Sequence, residues 1–137
     1  MAKAIPFTLI TPTAVAYEGE AELVIVVGTE GEEGILASHA PFLTALRPGI
    51  LRANVIENGA PKRLELATSE GFMQALPERV TVLVDEALAR ERIDVAAAKA
   101  ELGAAEESLK KLLPQSAEYA RLRAVADFAS AKLSLAG

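Results

Sequence analysis

Short apolar runs, separated by turn residues, occupy the first two thirds of the chain. The clearest of them lie at residues 7–10, 23–27, 50–56, 63–67 and 80–84. In the last run, Val80, Val82 and Val84 share one face and residues 81, 83 and 85 share the other, because successive side chains of a strand point to opposite sides. Several such strands with turn signals between them predict an antiparallel β-sandwich or barrel.

One β-hairpin is predicted between residues 52–56 and 62–66, around the pair Asn58-Gly59. Asn-Gly is typical of a tight hairpin turn, because both residues tolerate a positive φ angle. Ala60 and Pro61 follow before the next run begins, so we predict a loop longer than two residues.

Near residue 86 the β-branched residues give way to alanine and charged residues, and the apolar spacing becomes three to four. Two helical stripes are predicted. They comprise Leu102, Ala105, Leu109 and Leu112 in the first helix, and Leu122, Ala126, Ala129 and Leu133 in the second. Asp94 and Ser116 are the predicted helix caps, and Pro114 is predicted to end the first helix. The short connection predicts an antiparallel helical hairpin.

Alanine-rich stripes allow two helices to approach closely, but each alanine buries little apolar area. Gly103 inside the first helix lowers its stability by about 1 kcal/mol relative to alanine. We therefore expect a weakly held hairpin that can dock, undock or change partners.

Composition narrows the class of protein. The 137 residues carry a formal net charge of −5 and no cysteine, which argues against phosphate-backbone binding and excludes disulfides and cysteine metal sites. No apolar run approaches the roughly 18 residues of a membrane span, and the first residues lack the apolar stretch of a secretion signal. We expect a soluble protein that is not exported and does not bind nucleic acid.

The most distinctive stretch is residues 30–49, Glu-Gly-Glu-Glu-Gly-Ile-Leu-Ala-Ser-His-Ala-Pro-Phe-Leu-Thr-Ala-Leu-Arg-Pro-Gly. Its glycines supply backbone freedom and its prolines restrict it, while most residues between them are apolar. The stretch therefore predicts shaped turns between short strands, which indicates binding.

Four blocks in this order resemble the epsilon-chain family of the bacterial F-type ATP synthases. They are the opening strand at residues 7–12, the acidic glycine-rich turn with its Gly-Ile-Leu and His-Ala-Pro, Ser-Glu-Gly-Phe at residues 69–72, and Val-Thr-Val-Leu-Val-Asp-Glu-Ala at residues 80–87. The third block departs from the family's Ser-Gly-Gly-Phe at one position. The resemblance covers essentially the whole chain, and the ordered set is far more specific than any one motif.

The resemblance implies an antiparallel β-sandwich of about ten strands at residues 1–86 and a regulatory two-helix hairpin at residues 87–137. It also implies a non-catalytic subunit of the central stalk, peripheral on the cytoplasmic face of the bacterial membrane, with no metal. The expected partners are the gamma subunit and the c-ring, together with the alpha and beta subunits. In this family, the helices in their extended form inhibit ATP hydrolysis by the alpha and beta subunits.

The family's rotor contact corresponds to the acidic turn of this chain. The partner-binding residues that the resemblance implies are Glu30, Gly31, Glu32, His39, Ala40 and Pro41. Carboxylates there can accept charge-assisted hydrogen bonds from Arg or Lys of the ring loops. The alternative is a merely solvated turn. His39, the single histidine, cannot form a histidine-rich metal site and is interpreted as shaping the loop.

Some bacterial members of the family bind ATP through an Ile-Asp-x-x-Arg-Ala motif in the first helix. Residues 93–98 keep the isoleucine, the aspartate and the last alanine, but Ala97 replaces the arginine suited to bidentate phosphate recognition. If ATP binds, the implied residues are Ile93, Asp94, Ala98 and Lys132, with no other cofactor; otherwise Asp94 is a helix cap.

Other functions are compatible with the residues alone. An enzyme could use Glu30 with Glu32, or Asp85 with Glu86, as general acid and base, but the chain has no nucleophile elbow, P-loop or dinucleotide fingerprint. A sandwich with a helical hairpin could also be an adaptor unrelated to ATP synthase. An adaptor need not recognise gamma or change ATP hydrolysis.

Overall fold

A computed structural model describes residues 3–29, 31–36 and 41–137. Nine strands and two α-helices lie in these ranges, with a 3-10 helix at Arg90–Arg92. The strands are β1 (Ile5–Thr11), β2 (Ala14–Gly28), β3 (Gly31–Leu36), β4 (Phe42–Leu46), β5 (Gly49–Glu57), β6 (Ala60–Thr68), β7 (Gly71–Leu76), β8 (Arg79–Val84) and β9 (Ala87–Leu88). The helices are α1 (Val95–Leu109) and α2 (Ala117–Ala136). Each predicted apolar run lies within a strand, which confirms the strand prediction.

The strands form a β-sandwich, as predicted. Pairing follows the order β1-β8-β7-β4-β2-β5-β6-β9, with β3 also on β2. We call β1, β8, β7 and β4 the first sheet, and β2, β3, β5, β6 and β9 the second sheet. The long strand β2 links the two because it pairs with β1 along residues 14–21 and with β5 along residues 20–25. The pairing of β1 with β8 is parallel and all the others are antiparallel.

The core lies between the two sheets and follows the two-residue alternation of the strands. Phe7, Met73 and Val82 of the first sheet are fully buried, and Val55 of the second sheet meets them in one apolar cluster. No residue of either helix belongs to this cluster within the described part of the chain. The sandwich therefore has a hydrophobic core of its own.

The β5–β6 hairpin is tighter than predicted. Glu57 pairs with Ala60, so the loop is only Asn58-Gly59, and both loop residues have positive φ angles of 53° and 77°. The prediction of a longer loop was wrong because Pro61, which cannot donate to a ladder, is accommodated inside β6, where only β5 is its paired neighbour.

Gly71 opens β7 beside its neighbour β8. A side chain at this position would collide with the carbonyl oxygen of Leu83, because Gly71 pairs directly with Val84. The glycine of the Ser-Glu-Gly-Phe motif therefore permits the close approach of two strands.

The two helix caps are confirmed. Asp94 accepts a hydrogen bond from the Ala97 N–H at 3.0 Å, and Ser116 accepts one from the Tyr119 N–H at 3.1 Å. Helix α1 ends at Leu109, five residues before Pro114, with Lys110 as its C-cap. The proline therefore follows the helix end rather than causing it, and Leu112 of the predicted stripe lies beyond the helix.

The hairpin rests on the outer face of the second sheet through α2. Phe128, Ala131 and Leu135 of α2 are buried against Ala67 of β6, with Ile50 beside them. Ala98, Ala105, Ala126 and Ala129 are also buried and lie in neither apolar cluster, as expected for alanines between two closely packed helices. Among the described residues, Phe128 is the largest residue of this docking contact and supplies its one aromatic ring. The domain boundary predicted between residues 86 and 87 stays a prediction.

Candidate functional site

The turn between β2 and β3 places an acidic residue at the surface. Gly28 pairs with Gly31, whose φ of 121° favours glycine. Glu32 follows on β3, and its side chain is 59% exposed. Of the predicted partner-binding residues, the structure describes Gly31, Glu32 and Pro41, whereas Glu30, His39 and Ala40 lie outside the described residues.

Pro41 is exposed and immediately precedes β4. The other end of β4, Leu46, pairs with Gly28 beside the turn. Because five residues of strand extend roughly 16 Å, Pro41 lies beside one end of β4 and the turn with Gly31 lies beside the other.

Glu32 begins a chain of alternating charges that crosses the second sheet. Its carboxylate accepts a hydrogen bond from Arg52 at 2.9 Å, and Arg52 Nε lies 3.4 Å from Glu65. The other Glu65 oxygen lies 3.9 Å from Arg90, whose Nε donates to the Leu135 carbonyl of α2 at 2.8 Å. We call these four charged residues the charge chain. It connects the turn to the C-terminal end of α2.

Sequence reasoning missed Arg52, which joins Glu32 to Glu65 in the charge chain. Arg52 pairs with Glu65 across β5 and β6, a register that follows directly from a two-residue Asn58-Gly59 turn. The longer loop that we predicted leaves this register undefined.

The four candidate nucleotide residues make contacts within the protein. Asp94 caps α1, Ala98 is fully buried, and Ile93 packs against the apolar cluster beneath α2. Lys132 Nζ lies 2.9 Å from Glu101 of α1 and 4.6 Å from the centre of the Phe128 ring. Its side chain is only 12% exposed. Through these two contacts Lys132 links α2 to α1 and packs on Phe128.

The outer face of the first sheet carries an apolar row that the sequence analysis did not identify. Phe72 pairs with Leu83, which pairs with Ile10 in parallel register, and paired residues point to the same side of a sheet. Val15 and Ala45 extend the row at its two ends. Phe72 is 55% and Leu83 48% exposed, so this row of large side chains faces outward.

A groove of about 670 Å³ runs along the apolar row. Ile10, Phe72 and Leu83 supply its apolar lining, and the acidic residues Glu70 and Asp85 stand at the same groove. The arrangement suits a partner segment with apolar side chains at its centre and basic side chains nearby.

The two outer faces of the sandwich differ in what covers them. Phe128 and Leu135 of α2 cover the second sheet, whereas within the described residues no element packs over the apolar row of the first sheet. The sequence did contain a signal for this surface. Phe72 and Leu83 lie on the same strand face as the polar residues Gln74 and Thr81, which marks that face as the outward one. Large apolar residues at the outward positions indicate a binding surface.

The described ranges contain neither a metal-ligand cluster nor a helix that could span a membrane. No three His, Cys, Asp or Glu side chains of residues 3–29, 31–36 and 41–137 come together in a way that could hold a metal ion. In the same ranges, neither helix has the length and hydropathy that crossing a membrane requires.

Comparison with known families gives a consistent result. Residues 4–90 match the family described as ATP synthase, Delta/Epsilon chain, beta-sandwich domain. The ATP synthase epsilon chain of Magnetococcus marinus is 34% identical over 98% of this chain and 95% of its own length. That of Ruminiclostridium cellulolyticum is 40% identical over 92% of this chain and 90% of its own, and that of Geobacter sulfurreducens is 35% identical over 100% and 96%.

Solved structures show the same fold. A chain of the Euglena gracilis mitochondrial ATP synthase, in a structure of OSCP, F1 and the c-ring, matches with a TM-score of 0.75 at 24% identity. The match covers 96% of this chain and 79% of that chain. A chain of the Tetrahymena thermophila central stalk and c-ring matches over 66% of this chain with a TM-score of 0.54.

Proposed function

The chain belongs to the ATP synthase epsilon-chain family, and from this premise we propose that it is a non-catalytic subunit of the central stalk, coupling gamma to the c-ring during proton-driven ATP synthesis. Support comes from relatives that match it over nearly their whole length. The observation that carries the proposal is the uncovered apolar row on a sandwich with its own core.

Gamma is the partner proposed for the apolar row. A rotor subunit needs one stable contact with gamma that persists while the hairpin moves, so this contact should lie away from the hairpin. The row lies on the first sheet, and α2 covers the second. Phe72 is the natural anchor, because exposed aromatic residues near the centre of an interface contribute much of its binding energy.

The β2–β3 turn is proposed to face the polar loops of the c-ring. Exposed Glu32 can accept hydrogen bonds from a basic residue on the ring, and such contacts orient a partner more than they add affinity. Gly31 and, next to it in the sequence, the predicted residue Glu30 belong to the same proposal. Pro41, beside the far end of β4, and the predicted residues His39 and Ala40 are proposed as a second part of the ring contact. The subunit would then lie peripherally at the cytoplasmic face of the bacterial membrane, held there by the complex.

The hairpin is proposed to inhibit ATP hydrolysis when it leaves the sandwich and extends along gamma towards alpha and beta. Its small docking contact supports this role, because modest signals can switch only an element whose two states differ by a few kcal/mol. Exposed cations of the helices, such as Arg121 and Lys110, could then meet acidic surfaces on beta.

The proposal is tested with a catalytic sector of alpha, beta and gamma that lacks this subunit. The full chain and a version ending after Ala89, which keeps β9, are both expected to co-migrate with the sector, because the sandwich core of the described residues contains no helix residue. Only the full chain is expected to slow ATP hydrolysis. If neither version co-migrates, the proposed function is wrong; if both bind and neither slows hydrolysis, only the inhibitory role is wrong.

We further propose that the hairpin is held closed by its own side chains and not by ATP. Lys132 is already paired with Glu101, and Ala97 offers no guanidinium to a phosphate. Isothermal titration calorimetry with Mg-ATP at up to millimolar concentration is therefore expected to show no binding. An Ala97→Arg variant, titrated in parallel, tests whether the motif arginine is what is missing. Binding to the unaltered chain would contradict this proposal.

A further inference from the structure

We propose that the β2–β3 turn and the docked hairpin are energetically coupled through the charge chain. A cationic group that takes the Glu32 carboxylate from Arg52 loosens the contact between α2 and the second sheet. The inference deepens the proposed function and rests on it for the identity of that cation, a basic residue of the ring.

The geometry supplies a continuous route. Arg52 is shared between two carboxylates, with Nη1 at 2.9 Å from Glu32 and Nε at 3.4 Å from Glu65. Glu65 is shared in turn between two guanidinium groups, because its second oxygen lies 3.9 Å from Arg90. Arg90 holds the last turn of α2 through the hydrogen bond to the Leu135 carbonyl. Each inner member of the chain therefore divides its charge between two neighbours.

A cleft of about 300 Å³ lies at the start of this route. Glu32 and Arg52 line one side, and Asp127, Ser130 and Ser134 of α2 line the other. Arg47 of the same cleft lies 3.9 Å from Asp127. A change at Glu32 thus occurs at the border of the docking contact, where α2 itself contributes a charged side chain.

The direction of the coupling follows from the alternation of charge. An external cation at Glu32 leaves Arg52 with Glu65 as its remaining partner in the charge chain. Arg52 then neutralises more of the Glu65 carboxylate, so that Glu65 attracts Arg90 less and the end of α2 is held less firmly. Release of the hairpin must, by reciprocity, make Glu32 more available to the ring.

The expected size of the coupling is modest because these ion pairs are partly exposed. Arg52 is 30% and Glu65 34% exposed, whereas Arg90 is 60% exposed. Pairs of this kind change an equilibrium by about two- to fivefold. That is enough to bias a hairpin whose two states are close in free energy.

The test uses the full chain, which has no cysteine of its own, labelled at cysteines introduced at the exposed positions Glu78 and Lys111. The distance between spin labels reports whether the hairpin is docked. Measurements are made in the unaltered chain and in a Phe128→Leu background, where weaker docking brings both populations into the measurable range. Glu32→Gln, which mimics neutralisation by a partner, is expected to raise the undocked-to-docked ratio about two- to fivefold.

Glu33→Gln is the matched control. It removes the same charge from the adjacent position, and Glu33 forms no ion pair within the described residues. In an Arg90→Gln background the effect of Glu32→Gln is expected to vanish. Equal responses to the Glu32 and Glu33 variants, tighter docking on neutralisation of Glu32, or an undiminished effect without Arg90 would each overturn the proposal. Co-migration with the catalytic sector tests the proposed function separately, since labelling of the isolated chain requires no partner.

Discussion

Replacing Phe128 with alanine is expected to release the hairpin from the sandwich. Phe128 is 7% exposed and is the only aromatic residue of the docking cluster in the described chain, where its main companions are alanines and Leu135. Large-to-small substitutions of buried phenylalanine cost about 3 kcal/mol or more, which corresponds to roughly a 100-fold change in the docked-to-undocked ratio. The change also removes the ring beneath Lys132. The distance between labels at positions 78 and 111 should lengthen, and inhibition of the catalytic sector should strengthen.

Val125→Ala is the control for this prediction. Val125 lies on the same helix less than one turn away, but it is 39% exposed and belongs to neither apolar cluster. We expect it to leave the label distance unchanged. A Phe128→Ala chain that keeps the docked distance would show that the charge chain and the helix contacts hold the hairpin without the ring.

Much of the fold could be predicted from local patterns. Alternation located the strands because each strand of a sandwich buries one face, as at Val80 and Val82 of β8. The helix caps were predictable because Asp94 and Ser116 each satisfy a free N–H group only three residues away. Interactions between residues that are close in the chain can therefore be predicted from the sequence.

Long-range features were less accessible. The pairing of Ile10 with Leu83, and hence the apolar row, depends on which strands are neighbours in the sheet, and this is decided by the whole sandwich. The second apolar stripe of α2, at Phe128, Ala131 and Leu135, was missed because only one stripe was predicted for this helix. The alternation did place Leu83 on the face opposite to the buried valines. That Leu83 belongs to an exposed apolar row became evident only from its pairing with Phe72.

The candidate site shows the same division. Glu32 was selected from a turn motif, and the structure places it at the surface with Arg52 as its partner. The motif could indicate an acidic turn but could not reveal a partner that lies 20 residues further along the chain. The role of the turn in binding the ring stays a prediction.

Phe72→Glu is expected to weaken binding to gamma about 100-fold. Phe72 lies in the middle of the apolar row, and its pairing with Leu83 on one side and Ala45 on the other gives a partner a flat apolar strip. Loss of a central aromatic anchor typically weakens an interface by about 3 kcal/mol, roughly 100-fold in Kd, and a carboxylate beside Glu70 and Asp85 adds an unpaired charge that the partner must bury.

The substitution should leave the isolated fold intact, because Phe72 is 55% exposed and contributes nothing to the buried core. Leu113→Glu is the matched control, since Leu113 is 67% exposed but lies in the connection between the helices. Binding to the alpha, beta and gamma sector, followed by surface plasmon resonance, should weaken about 100-fold for the Phe72 variant and remain unchanged for the Leu113 variant. An unchanged affinity of the Phe72 variant would move the gamma contact off the apolar row. A loss shared by both would mean instead that the connection between the helices also contributes to the interface, because an anchoring surface confined to the first sheet predicts sensitivity at Phe72 alone.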